Sequence, residues 1–133
     1  MYYKEEGTSD LDAILANYTI TEIFLSEITK VEFCSAVYKK LRTKNLTSKN
    51  ADDILNAFIA DDEKYNFVKV HEEIIDLSKN LIEKYGIEGL RTLDAIQLAT
   101  ACSVRKSIDI ALSNDKLLNL FLTSEGIRIS IIA

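Results

Sequence analysis

Three carboxylates stand where a metal-dependent chemistry would need them. Glu32 lies in the largely apolar stretch Ile28–Ala36, Asp94 is the only charge between Thr92 and Cys102, and Asp115 follows the apolar run Ile108–Leu112 in Ser113-Asn114-Asp115. A lone carboxylate is expensive to bury unless a cation or donor compensates it, so Asp94 needs a partner that a metal ion or Arg91 would supply. If the three converge they make an oxygen-only site with roughly three negative charges, a donor set suited to Mg²⁺ or Mn²⁺. Such an ion polarises a phosphoryl oxygen and makes a bound water more acidic, so phosphodiester hydrolysis is the natural chemistry and no histidine is required.

Each acid also has a purely structural reading. Thr29-x-x-Glu32 fits a capping box, in which Glu32 would reach back to the backbone N–H of Thr29. Asp94 suits the first turn of a helix, near the positive end of its dipole. Asp115 is equally a helix N-cap.

The chain is acidic, with 16 Lys+Arg against 21 Asp+Glu and a net charge of −5. The stretch Lys39 to Lys49 nevertheless carries Lys39, Lys40, Arg42, Lys44 and Lys49 with no acid among them, which makes it the best place for a phosphate backbone to rest. Its alternative is a solvated helix end.

Other chemistries lack their residues. The single histidine, His71, opens a polar stretch and reads as a solvated helix start, which excludes a His-rich zinc site and a Ser-His-Asp triad. The two cysteines, Cys34 and Cys102, are far apart in apolar stretches and read as reduced core thiols. The four glycines form neither a dinucleotide nor a P-loop fingerprint, so no nucleotide cofactor is expected. No apolar run is long enough to span a membrane, and Met-Tyr-Tyr-Lys-Glu-Glu lacks a signal-peptide core, so the expected location is the cytoplasm.

The elements that must position these groups alternate. After Gly7, Thr8 or Ser9 can cap a helix with Leu11, Ile14, Leu15 and Tyr18 on one face, and Ile23-Phe24-Leu25 reads as a strand. Ser26 or Thr29 caps the next helix, whose stripe is Val31, Cys34, Val37, Tyr38 and Leu41. A third helix follows Ser48 with Ile54, Leu55, Phe58 and Ile59 inward, and Tyr65–Val70 alternates as a strand. A fourth helix starts at Glu72-Glu73 and stops at Gly86, and a fifth spans Thr92 to Lys106. A strand at Ile108–Leu112, a short helix from Asp115 to Leu122 and a strand at Ile127–Ile132 complete the chain. Parallel neighbours need crossovers and helices supply them, so the expected fold is α/β, a mainly parallel twisted sheet with helices on both faces, in one domain over residues 1–133. In such a sheet ligands collect beyond the carboxyl ends of the strands, where the three acids are expected.

Four segments together carry a family resemblance: Tyr3-Lys4-Glu5-Glu6-Gly7, then Ile28-Thr29-Lys30-Val31-Glu32-Phe33-Cys34-Ser35-Ala36, then Leu90-Arg91-Thr92-Leu93-Asp94-Ala95-Ile96-Gln97-Leu98-Ala99, and Ser113-Asn114-Asp115-Lys116-Leu117-Leu118. In order and context they resemble the PIN domain of metal-dependent ribonucleases, especially its VapC-type toxin branch. The resemblance implies an endoribonuclease in which Glu32, Asp94 and Asp115 bind Mg²⁺ or Mn²⁺, with Ser113 as a supporting hydroxyl. It also implies a cognate antitoxin and a homodimer. RNA would be the substrate, with Lys39, Lys40, Arg42 and Lys44 at its phosphates.

The family's opening strand, which ends in an Asp-x-Ser motif and occupies the middle of its sheet, has no counterpart here. Its absence would leave backbone groups of both neighbouring strands unpaired. The expectation is therefore a PIN-like fold lacking that strand, an endoribonuclease by resemblance whose activity has to be judged separately from its fold. The alternative function is a catalytically dead PIN-like module that binds a protein partner through the apolar surface so exposed.

Overall fold

A computed structural model of the chain describes residues 22–131. The helix expected after Thr8 or Ser9 lies outside them. The described elements are β1 (Phe24–Ser26), α1 (Ile28–Arg42), α2 (Ser48–Ala60), β2 (Asn66–Val68), α3 (Glu72–Tyr85), α4 (Thr92–Ser103), β3 (Ala111–Ser113), α5 (Lys116–Ser124) and β4 (Ile129–Ile131). Strands and helices alternate as the hydrophobic periodicity requires, and both strand pairs are parallel. Among the described residues the ladder consists of two pairs, β1 with β2 and β3 with β4. The contacts gather into two compact units, Met1–Val68 and Lys69–Ala133.

In the first unit Phe24 lies opposite Asn66 and Ser26 opposite Val68. The bonds Asn66 N–H to Ile23 O and Glu27 N–H to Val68 O, both 2.8 Å, frame this short ladder. Helix α1 packs on α2, and Phe33 stacks on Phe58 with ring centroids 4.4 Å apart. Phe58 also meets the rings of Tyr65 and Phe67, giving this unit an aromatic core in which Val37 and Ala51 are fully enclosed.

The expected inward stripe of α1 is corrected here. Val31 is 64% exposed and Tyr38 50% exposed, and Cys34 is exposed as well, so it is not a core thiol. The sequence around α1 is apolar at overlapping positions, and two stripes compete for the core. The one that wins keeps the expected Val37 and Leu41 and adds Phe33, which stacks on Phe58 of α2. Ile59, expected inward on α2, is likewise exposed.

The second unit is built on α4, whose Ala95, Leu98 and Ala99 are almost completely buried. Small residues on this face let α3 and α5 approach, and α5 also covers β3 and β4. From α3 come Ile74, Leu81 and Tyr85, and from α5 Phe121 and Leu122; the Tyr85 and Phe121 rings are 4.8 Å apart. His71 is exposed and caps α3, its Nδ1 accepting from the Glu73 backbone N–H at 3.2 Å, as expected of a solvated helix start. Helix α4 ends at Ser103, earlier than the expected Lys106, where the Val104 and Arg105 N–H groups turn to carbonyls three residues back; the Arg105 side chain donates to the Glu125 carbonyl at 2.9 Å.

Candidate functional site

Asp94 sits in the first turn of α4, half-buried. What places it there is the approach to the helix: α3 ends in a tight turn at Gly86–Glu88, Gly89 takes a left-handed φ of 110°, and Leu90 drops into the core. Burial raises the Asp94 pKa above the usual carboxylate value, the charge of Asp115 raises it further, and Arg91 offsets this in part. Asp94 and Asp115 are thus within electrostatic reach of one another in the same unit. Two carboxylates that repel each other in a partly desolvated place are stabilised by a cation between them.

Asp115 is the N-cap of α5, its Oδ1 accepting from the Leu118 backbone N–H at 2.9 Å. The structural role expected for it is therefore real. Ser113 closes the turn on the strand side, its Oγ accepting from the Asp115 backbone N–H at 3.0 Å. The Ser113 hydroxyl thereby supports the acid through the main chain.

Glu32 belongs to the other unit, in the second turn of α1. The capping box would need Thr29 at the helix cap, but α1 begins at Ile28 and its cap position is Glu27, so Thr29 is already inside the helix. The start of α1 is closed by Ser26, whose Oγ accepts from the Ile28 backbone N–H at 3.3 Å. Among the described residues no group of three or more Asp, Glu, His or Cys side chains is close enough to hold a metal ion. Asp94 lies within electrostatic reach of Asp115, in the same unit, whereas Glu32 belongs to the other. Both aspartates are hard oxygen donors, a chemistry that fits Mg²⁺ or Mn²⁺.

Lys39, Lys40 and Arg42 occupy the last turn of α1, where they also favour the negative end of its dipole. Lys44 follows in a left-handed turn with φ 60°, and Thr47 caps α2 by accepting from the Asn50 backbone N–H. The basic residues therefore line the junction between two helices, beside an open pocket lined by Leu41, Lys44 and Thr47.

Two features escape a reading of the sequence. Asn119, the single polar residue within Leu117–Leu122, is buried and donates from Nδ2 to the Ser113 carbonyl at 3.0 Å. Its position in an apolar run is the signal that could have found it. The second is a cluster around Glu125, whose carboxylate takes Lys84 Nζ at 2.7 Å and the Tyr85 hydroxyl. Nothing in the spacing of those residues announces it.

The sequence matches the PIN domain family over residues 1–119. The chain belongs to the PIN-domain family. Among solved structures, this PIN domain is similar in fold to VapBC-1 from nontypeable Haemophilus influenzae, known at 2.2 Å resolution, with a TM-score of 0.64 and 13% sequence identity. The similarity covers 92% of this chain and 84% of that one. No curated protein matches the sequence. Among the described residues no helix of the PIN domain is long and apolar enough to cross a membrane.

Proposed function

We propose that this PIN domain is a metal-dependent endoribonuclease of the VapC toxin type, working as one domain over residues 1–133. The observation that carries the reading is Asp94, half-buried in the first turn of α4 with its pKa raised by burial and then by the charge of Asp115, in a PIN-family chain. Glu32, Asp94 and Asp115 are the proposed ligands for Mg²⁺ or Mn²⁺. Such an ion supplies Lewis-acid polarisation of a phosphoryl oxygen and a more acidic water.

The chain's own residues do the rest. The N-cap bond fixes the Asp115 carboxylate, and the Ser113 hydroxyl keeps the turn that presents it. Lys39, Lys40, Arg42 and Lys44 hold RNA phosphates, so binding weakens steeply with salt. The similarity to VapBC-1 supports a cognate antitoxin as partner, and a homodimer in the cytoplasm completes the proposal.

A second reading, a PIN-like protein-binding module without nuclease activity, draws on one observation: Val31, Cys34 and Tyr38 present an exposed, largely apolar face on α1. The two readings separate when the purified chain is incubated with structured RNA in Mn²⁺, in Mg²⁺ and in EDTA, beside Asp94→Asn and Asp115→Asn. Metal-dependent cleavage lost in both variants supports the nuclease. Cleavage equal in wild type and variants points to a contaminant, and no cleavage favours the binding module.

A further inference from the structure

We propose that Asn119 is a positioning residue for Asp115: its side-chain amide ties down the turn that presents the candidate metal-binding carboxylate. The inference rests on the reading of Asp115 as a metal ligand and adds a residue to it.

Four bonds describe the device. Asn119 Nδ2 donates to the Ser113 carbonyl at 3.0 Å, and the Asn119 backbone N–H donates to the Asp115 carbonyl at 3.0 Å. One residue therefore grips the turn from both sides of Asn114. Within the turn the Ser113 hydroxyl and the Asp115 carboxylate take the N–H groups of Asp115 and Leu118. The backbone bond would form with any residue at 119, since it is the first helical bond of α5. The amide bond needs asparagine.

The other end of the same amide gives the reason to read this as more than helix packing. Asn119 is 8% exposed, and its Oδ1 is buried with no hydrogen-bond partner among the described residues. An unsatisfied buried acceptor destabilises the fold. A leucine has nearly the same branched shape, would continue the apolar run Leu117–Leu122, and would carry no oxygen to leave unpaired. Ser113, whose carbonyl it would release, is a half-buried residue followed by the exposed Asn114, so water can take over. Stability alone therefore favours leucine at 119, and what asparagine supplies is the hold on Ser113. Sacrificing stability to fix a ligand-bearing turn is a trade seen at functional sites.

The test uses the full chain and compares Asn119→Leu with Asn119→Ser and with Thr123→Val. Thr123 Oγ1 donates to the Asn119 carbonyl on the same helix and does not touch the turn, so it is a control for ordinary helix support. Three quantities are read: Tm, amide hydrogen exchange at Leu118, and Mn²⁺ affinity by titration with Mn²⁺ alone. We expect Asn119→Leu to hold or raise Tm while Leu118 exchanges about tenfold faster and Mn²⁺ binds roughly tenfold more weakly, the range found when residues behind metal ligands are removed. Asn119→Ser, which cannot reach Ser113, should show the same loosening, and Thr123→Val should show neither effect. Unchanged Leu118 exchange in both Asn119 variants would overturn the proposal. So would a fall in Tm with exchange faster uniformly along α5, which is the mark of plain structural support. If Asp115→Asn binds Mn²⁺ like wild type, the reading of Asp115 as a ligand fails, and the Leu118 exchange still decides whether Asn119 holds the turn.

Discussion

The Tyr85 hydroxyl donates a hydrogen bond to the Glu125 carboxylate, tying the last turn of α3 to the C-terminal cap of α5. Lys84 holds the same oxygen at 2.7 Å, and the Glu125 carboxylate is only 15% exposed. The Lys84 and Tyr85 hydrogen bonds keep its pKa below the ordinary value of 4.5. A carboxylate with a depressed folded pKa contributes stability above its unfolded pKa and loses it as pH falls through the folded value. Glu125→Gln should therefore lower Tm by a few degrees at neutral pH, with the gap to wild type closing as pH falls from 4.5 through the depressed folded value. Tyr85→Phe should cost about 1 kcal/mol by denaturant titration, the usual net worth of such a bond.

Asp94 should behave in the opposite sense. Burial and then the Asp115 charge raise its pKa, so the ionised group destabilises the fold above the folded pKa, and the penalty vanishes below the unfolded value near 3.8. Without metal, Asp94→Asn is expected to melt higher than wild type at pH 7 and level with it in acid. Adding Mn²⁺ should raise the wild-type Tm, by an amount equivalent to about 2.7 kcal/mol at a hundred times the Kd, and leave Asp94→Asn and Asp115→Asn unmoved. Differential scanning fluorimetry at three pH values measures all of this.

Gly89 sets the entry to α4. At φ 110° a side chain is strained, and a Cβ there would meet the Leu117 side chain at 3.2 Å. Gly89→Ala should destabilise the chain by more than about 1 kcal/mol and weaken metal binding through Asp94. Chemical denaturation and Mn²⁺ titration of the same variant check the two effects.

The two faces of the helices give a paired prediction. Leu98 is fully buried at the centre of the second unit, so Leu98→Ala should cost about 2–5 kcal/mol. Val31→Ser and Tyr38→Ser, on the exposed face of α1, should each stay within about 0.5 kcal/mol of wild type. Were Val31→Ser as damaging as Leu98→Ala, the inward face of α1 would have to be reassigned.

These contrasts show where the sequence was readable. Parallel strands alternating with helices followed from apolar periodicity, and the helix starts at Ser48, Glu72 and Thr92 fell where expected. Asp94 and Asp115 stand out as candidates because a charge inside an apolar run and an acid just after a strand are local signals. The face of α1 was not visible, since Phe33 and Val31 are both apolar and only the ring of Phe58, far along the chain, distinguishes them. The end of α4 was missed as well: its last N–H groups turn to carbonyls three residues back, a tightening that apolar periodicity does not mark. The partners of Glu125 come from α3, and a window of neighbouring residues does not contain them.

The β3 to β4 connection is short. Ala111 pairs with Ile129, less than half the separation at which Phe24 pairs with Asn66 in the first unit. Every bond that shapes the Asp115 turn joins residues closer still, from Ser113 to Asn119 at the widest. Closing a loop costs entropy that grows with its length, and local contacts form before distant ones repay their closure. The turn that presents Asp115 is therefore among the cheapest pieces of this chain to assemble, and its geometry does not wait on the long crossover of the first unit.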